Sequence, residues 1–256
     1  MVLRSLRNAL VLVASIVLST PINADVIELR ADEWCPYNCT PGSERPGYMI
    51  ELAREALGLF GHQLNYETMN WPRSIQFART GRINGIVGAV PDEAPDLLFG
   101  PALGAYRDVV AFRVGEVVDI YSESAIEGLR VGAINGYDYG GPISAHIEKH
   151  KDNPAIIQFA SGDQALENNL RKLAAGRLDA VAEVHDVLVH TINRLGMNDE
   201  FEIFMAEEFD EVYIAFSPEL ASSEVYIAQL AEGLARLRSS GRYAEILSHY
   251  GLDSAD

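Results

Sequence analysis

The sequence predicts an α/β protein of two lobes, each a mainly parallel sheet with helices on both faces, joined by two hinge crossovers. Three observations carry that expectation. Strand-like and helical periodicities alternate in two runs, 26–87 and 129–183, and each reads β-α-β-α-β. A short pattern recurs near the end of both runs, as Gly81-Arg82-Ile83-Asn84 and Gly176-Arg177-Leu178-Asp179. Extended segments at 106–118 and 211–216 lie outside both runs and suit two connections between lobes. Alternating strands and helices imply parallel pairing, because crossover helices cover the sheet faces.

The elements follow in order. Residues 26–31 are short, β-branched and bounded by turn residues, so they read as a strand. After the Pro46-Gly47 turn, residues 49–60 set Ile50, Ala53, Leu57 and Phe60 at helical spacing. Residues 63–69 read as a strand, 72–80 as a helix and 83–87 as a buried strand. The second run repeats this: a strand at 129–134, a helix at 144–150, a strand at 155–159, a helix at 165–175 and a strand at 180–183. In the last helix Leu166, Leu170 and Leu173 fall on one side. The second helix of each run stops at a glycine, Gly81 or Gly176, where a left-handed cap is easy without a Cβ. Ser161-Gly162-Asp163-Gln164 has the form of a capping box. Ser217-Pro218-Glu219 opens a helical tail, in which 225–237 is amphipathic.

Composition narrows the function. Lys and Arg number 20 against 37 Asp and Glu, a formal net charge of −17. That balance argues against nucleic-acid or anionic-lipid binding through a broad basic surface. None of the three Lys belongs to a phosphate-binding P-loop. At the N-terminus Arg4 and Arg7 precede an apolar stretch at 9–18 and the segment Ile22-Asn23-Ala24. This is the pattern of a secretory signal peptide, 1–24, cleaved after Ala24, leaving a periplasmic chain with no direct membrane insertion. Export places Cys35 and Cys39 in an oxidising compartment, where a close pair most often forms a disulfide; free thiols and redox chemistry remain alternatives. His146 and His150 have the spacing of a metal pair, but their charged neighbours read as a solvated face, so no metal and no cofactor is expected.

Several pieces, in this order, resemble the family 3 periplasmic solute-binding proteins of ABC importers: Pro46-Gly47-Tyr48-Met49-Ile50-Glu51-Leu52, Trp71-Pro72-Arg73, Gly81-Arg82-Ile83-Asn84-Gly85, Leu129-Arg130-Val131-Gly132 and the tail from Gly241 to Gly251. The resemblance implies a periplasmic-binding-protein clamshell, with a small polar or amphipathic metabolite held between the lobes and passed to a membrane permease. Lobe 1 would comprise 25–114 and 211–256, lobe 2 would comprise 115–210, and the hinge crossings would fall near 112–118 and 207–213. A monomer is expected. The family's amino-acid binders carry Ser/Thr-x-x-x-Arg after the third strand of lobe 1, but 88–99 has no Arg, and the position of the family's lobe 2 Asp is taken by Val184. A standard α-amino acid is therefore not the expected ligand.

Ligands of open parallel sheets sit beyond the C-terminal ends of strands. That rule selects Trp34, Tyr37, Trp71, Arg73, Asn135, Tyr137, Tyr139 and Glu183 as ligand-binding candidates. The aromatic residues would stack on the ligand, Arg73 would grip an anionic group and Glu183 would meet a donor or cation. For Trp34 and Trp71 a core role is the alternative, and for Arg73 a surface ion pair. No catalytic residues are assigned, so the expectation is a binding protein rather than an enzyme. A cyclohexadienyl-dehydratase-like lyase with Glu183 as general acid, or a sensor partner, is the alternative.

Overall fold

The structure is a computed structural model that describes residues 24–205 and 209–252. The expected signal peptide lies outside these residues but for Ala24. The first sheet has the order β2-β1-β3-β10-β4, from β1 (Val26–Ala31), β2 (Gln63–Thr68), β3 (Gly85–Ala89), β4 (Leu98–Tyr106) and β10 (Asp210–Phe216). The second has the order β7-β6-β8-β5-β9, from β5 (Asp108–Arg113), β6 (Val131–Ile134), β7 (Ile157–Ala160), β8 (Ala180–Val184) and β9 (Phe201–Met205). One plan serves both. Three parallel strands are followed by an antiparallel fourth strand, β10 or β5, which pairs with a fifth.

The expected first crossing at 112–118 is corrected by the pairing of β5. Its residues bond β8 and β9, so the chain changes sheets at Arg107, upstream of the boundary expected at 114. The run Val109-Val110-Ala111-Phe112 is apolar because it lies inside lobe 2 with both faces covered, not because it links lobes. Val109 and Ala111 face one core with the helices α5 (Ala165–Ala174) and α6 (His185–Leu195), whereas Val110 and Phe112 face a second core with α4 (Gly141–His150). The return falls between Met205 and Asp210, so the expected 207–213 overlaps it only at 207–209 and otherwise belongs to β10; residues 206–208 lie outside the described residues.

The sequence repeat is a structural repeat. Gly81 and Gly176 both take left-handed backbone, φ 67° and 68°, just past α2 (Trp71–Arg79) and α5. Asn84 Oδ1 then accepts the N–H of Glu28 at 2.8 Å, and Asp179 Oδ2 accepts the N–H of Arg130 at 2.9 Å. Each side chain thus clasps the middle strand of its lobe's parallel trio, β1 or β6, at or near its start. The expected capping box at 161–164 does not form: α5 begins at Ala165 without a side-chain cap bond. No helix among the described residues is long and apolar enough to cross a membrane.

The C-terminal helices α7 (Ser223–Ser240) and α8 (Arg242–His249) return to lobe 1 and pack on α1 (Tyr48–Gly58). The start of α1 is fixed by the loop that carries both cysteines. Cys35 and Cys39 form a disulfide. The carbonyls of Pro36 and Tyr37 accept the N–H groups of Tyr48 and Met49, each at 3.0 Å, satisfying donors that a helix start leaves open. Gly47, at φ 105°, makes this approach possible, since a Cβ there would lie 2.4 Å from the Tyr37 carbonyl oxygen. Gly47→Ala is therefore expected to cost at least about 2 kcal/mol. Calorimetry should record a fall in Tm of about 4–8 °C.

Candidate functional site

The C-terminal ends of β1, β3, β6 and β8 converge on the space between the lobes. Beyond β1 the chain supplies Asp32 and Trp34, and beyond β3 it supplies Glu93. Beyond β6 come Tyr137, Asp138 and Tyr139, and Glu183 lies at the end of β8. Asp108, the first residue of β5, joins them because antiparallel pairing sets it opposite Val184. Trp71 enters from the first turn of α2.

Hydrogen bonds run between the lobes. Trp34 Nε1 donates to Glu183 Oε1 at 3.2 Å, and the Tyr137 hydroxyl donates to Asp32 Oδ2 at 2.9 Å. Glu93 accepts from Trp71 Nε1 at 3.2 Å and, across the cleft, from the backbone N–H of Asp138 at 3.1 Å. These contacts hold the lobes closed and divide the cleft in two, with Asp32, Trp34 and Tyr137 walling both compartments. The front compartment has a volume of only about 30 Å³, and the rear one about 250 Å³. A ligand larger than a water enters the front only when the lobes part.

Five of the eight predicted residues come together here: Trp34, Trp71, Tyr137, Tyr139 and Glu183. The rings of Trp71 and Tyr137 meet edge to face with centroids 6.4 Å apart. Tyr139 spends its hydroxyl on its own loop, accepting the N–H of Ile134 at 2.7 Å. Tyr37 stands behind the cleft rather than in it. It is fully buried, stacks on Trp34 at 4.2 Å, and sets its hydroxyl 3.0 Å from the Ala105 carbonyl and 3.2 Å from Asp186 Oδ2. Its role is to brace the Trp34 ring.

Arg73 and Asn135 are turned away. On a helix, a residue two positions after Trp71 points about 200° around the axis. The buried residues of α2 are Trp71, Ser74, Ile75 and Ala78, whereas Arg73 is exposed with its guanidinium 4.9 Å over the Phe77 ring. The expected grip on an anionic group is thus corrected. Asn135 is exposed as well, and its backbone N–H extends the β6–β7 pairing to Ala160.

What the sequence reading missed is chiefly acidic. Glu93 and Asp108 line the front compartment with Asp32, and its lining contains no Lys, Arg or His among the described residues. Burial pushes the carboxyl groups of Asp32, Glu93 and Asp108 up to about 7, and that of Glu183 to about 8. Loss of solvation outweighs the neutral donors that favour the anions of Asp32, Glu93 and Glu183, and neighbouring carboxylates raise all four further. Two buried acceptors of this lining, Asn38 Oδ1 and Asp108 Oδ1, have no hydrogen-bond partner. Asn38 is fully buried, and its amide nitrogen is already committed to the Asp32 carbonyl at 2.6 Å and the Tyr66 hydroxyl at 3.1 Å. Unsatisfied buried acceptors are costly, so the compartment is built to receive hydrogen-bond donors.

Neither a family model nor a curated protein matches the chain. Solved structures do. The chain is similar to a histidine kinase sensor domain with similarity to periplasmic binding proteins, at TM-score 0.70 and 18% identity over 89% of this chain and 97% of that one. It is similar to a structure from the glutathione import system of GshT and the cystine ABC importer TcyBC of Streptococcus mutans, at TM-score 0.74 and 15% identity over 90% and 96%. A Streptococcus pneumoniae ABC uptake substrate-binding protein with bound histidine gives 0.71 and 16% over 89% and 93%. The fold is that of the two-lobed periplasmic binding proteins.

Proposed function

We propose that this chain is an exported solute-binding protein that captures a small organic cation lacking a carboxylate, an amine or amidine, and delivers it to the permease of an ABC importer. The fold supports the binding role, since substrate-binding proteins of ABC importers share it. The observation that carries the ligand class is the front compartment: buried carboxyl groups, orphaned acceptors and aromatic faces, with no basic side chain in its lining among the described residues. Aromatic faces and carboxylates attract cations, whereas a ligand carboxylate set here would meet like charge and find no counter-ion. The sensor-domain likeness leaves presentation to a membrane receptor as a variant of the same binding role.

Matched pairs test the ligand class. Calorimetry on the mature chain at pH 8 should show agmatine binding more than tenfold tighter than arginine, and histamine more than tenfold tighter than histidine. Equal or tighter binding of the parent amino acids would refute the assignment.

A further inference from the structure

A second site lies on lobe 2. α3 (Glu123–Ile126) ends just before Glu127, and α4 carries His146 and His150 one turn apart. The two imidazole rings are 4.9 Å apart. The fold brings the Glu127 carboxylate to them: Oε1 is 3.6 Å from His150 Nε2, and one donor atom from each of the three residues lies within 4.8 Å of the other two. His146 is buried at 3% exposure rather than on a solvated face. Its Nε2 lies 3.3 Å from the Leu129 carbonyl, and a proton shared there leaves the other ring nitrogen with its lone pair. Backbone carbonyls orient metal-bound histidines in this way. His150 Nε2 is shielded from solvent and has no hydrogen-bond partner. Glu127 Oε2 is held by Lys149 Nζ at 2.8 Å, which steadies the carboxylate while leaving Oε1 toward the histidines.

We propose that Glu127, His146 and His150 form a three-ligand site for a divalent transition metal, with Zn²⁺ the representative ion. Two imidazoles and one carboxylate suit a borderline cation better than Ca²⁺ or Mg²⁺, which prefer all-oxygen shells. The donor atoms need to draw together by about 1 Å to reach metal–nitrogen distances near 2.0–2.1 Å. Rotation of the exposed Glu127 side chain supplies part of that movement. A cavity of about 260 Å³ opens beside the cluster, lined by Tyr121, Pro142, Ala145 and His146 among others. It leaves room for a water or an external donor as fourth ligand, so the ion would be exchangeable. The Lys149 charge weakens the attraction and sets this site apart from a tight structural one.

The test is calorimetric titration of untagged mature protein with Zn²⁺ alone, supported by Co²⁺ visible absorption. One Zn²⁺ per chain should bind, and Co²⁺ should give the intense d–d bands of a low-coordinate nitrogen–oxygen site. His150→Ala and Glu127→Gln should each weaken Zn²⁺ at least tenfold, and His146→Ala should abolish the site. If His146→Ala does not fold, the other two surface variants carry the result. No binding to the parent protein, or equal binding to His150→Ala and Glu127→Gln, would overturn the proposal.

Discussion

Raising the pH from 6 to 8 is expected to tighten the binding of a small organic cation by about tenfold to a hundredfold. The sign follows from the cleft acids. In the closed form the carboxyl groups of Asp32, Glu93 and Asp108 are pushed up to about 7 and that of Glu183 to about 8, because burial disfavours their anions. A bound cation favours the ionised form, so binding expels a proton. Affinity therefore climbs about tenfold per pH unit below the relevant pKa for each proton released, and levels off above it. Asp138, which also lines the front compartment, adds negative potential without reversing the direction. Calorimetry in two buffers of different ionisation heat would count the protons, and a count of zero, or tighter binding at pH 6, would sink the idea.

Asp32→Asn is expected to bind the same cation roughly 30-fold to several thousand-fold more weakly at pH 8, the equivalent of about 2–5 kcal/mol for a lost buried charge partner. At pH 6, below the value of about 7 to which burial raises Asp32, the loss should shrink toward the parent value. Stability should hardly change, because the amide oxygen of Asn can still accept from the Tyr137 hydroxyl. Asp108→Asn, in the same compartment, offers the same comparison from the opposite lobe. Unchanged affinity at pH 8 in both variants, each with the parent Tm, would remove the two carboxylates from the site.

The legible part of this protein was the part written in periodicity. The first strand agrees with the sequence reading over Val26–Ala31, and the helices at 48–58, 71–79 and 165–174 differ from it only at their ends. The five rings and acids that do meet in the cleft were found because they follow strand ends. Arg73 was misjudged because adjacency in sequence is not adjacency on a helix: the rotation that buries Trp71 expels it. Asp108 was hidden by an apolar run that resembles a linker until β8 and β9 are seen on either side. Glu93 escaped because nothing local distinguishes a buried acid from the 37 acidic residues of the chain. α6 begins at His185, immediately after β8, so no loop announced it. Glu127 could not be joined to His146 and His150 from spacing, since the chain passes through β6 between them.

The exchange of strands at the two crossings also orders the birth of the molecule. Lobe 2, from 108 to 205, is one uninterrupted stretch, and all five of its strands can pair as soon as it is made. Lobe 1 is split, because β10 is inserted between β3 and β4 and is synthesised after everything else in either sheet. Until it arrives, β3 and β4 present open edges, the kind of surface that recruits foreign strands. A chain stopped after residue 209 would hold a finished second lobe tethered to an unfinished first one, with no completed wall against which to close.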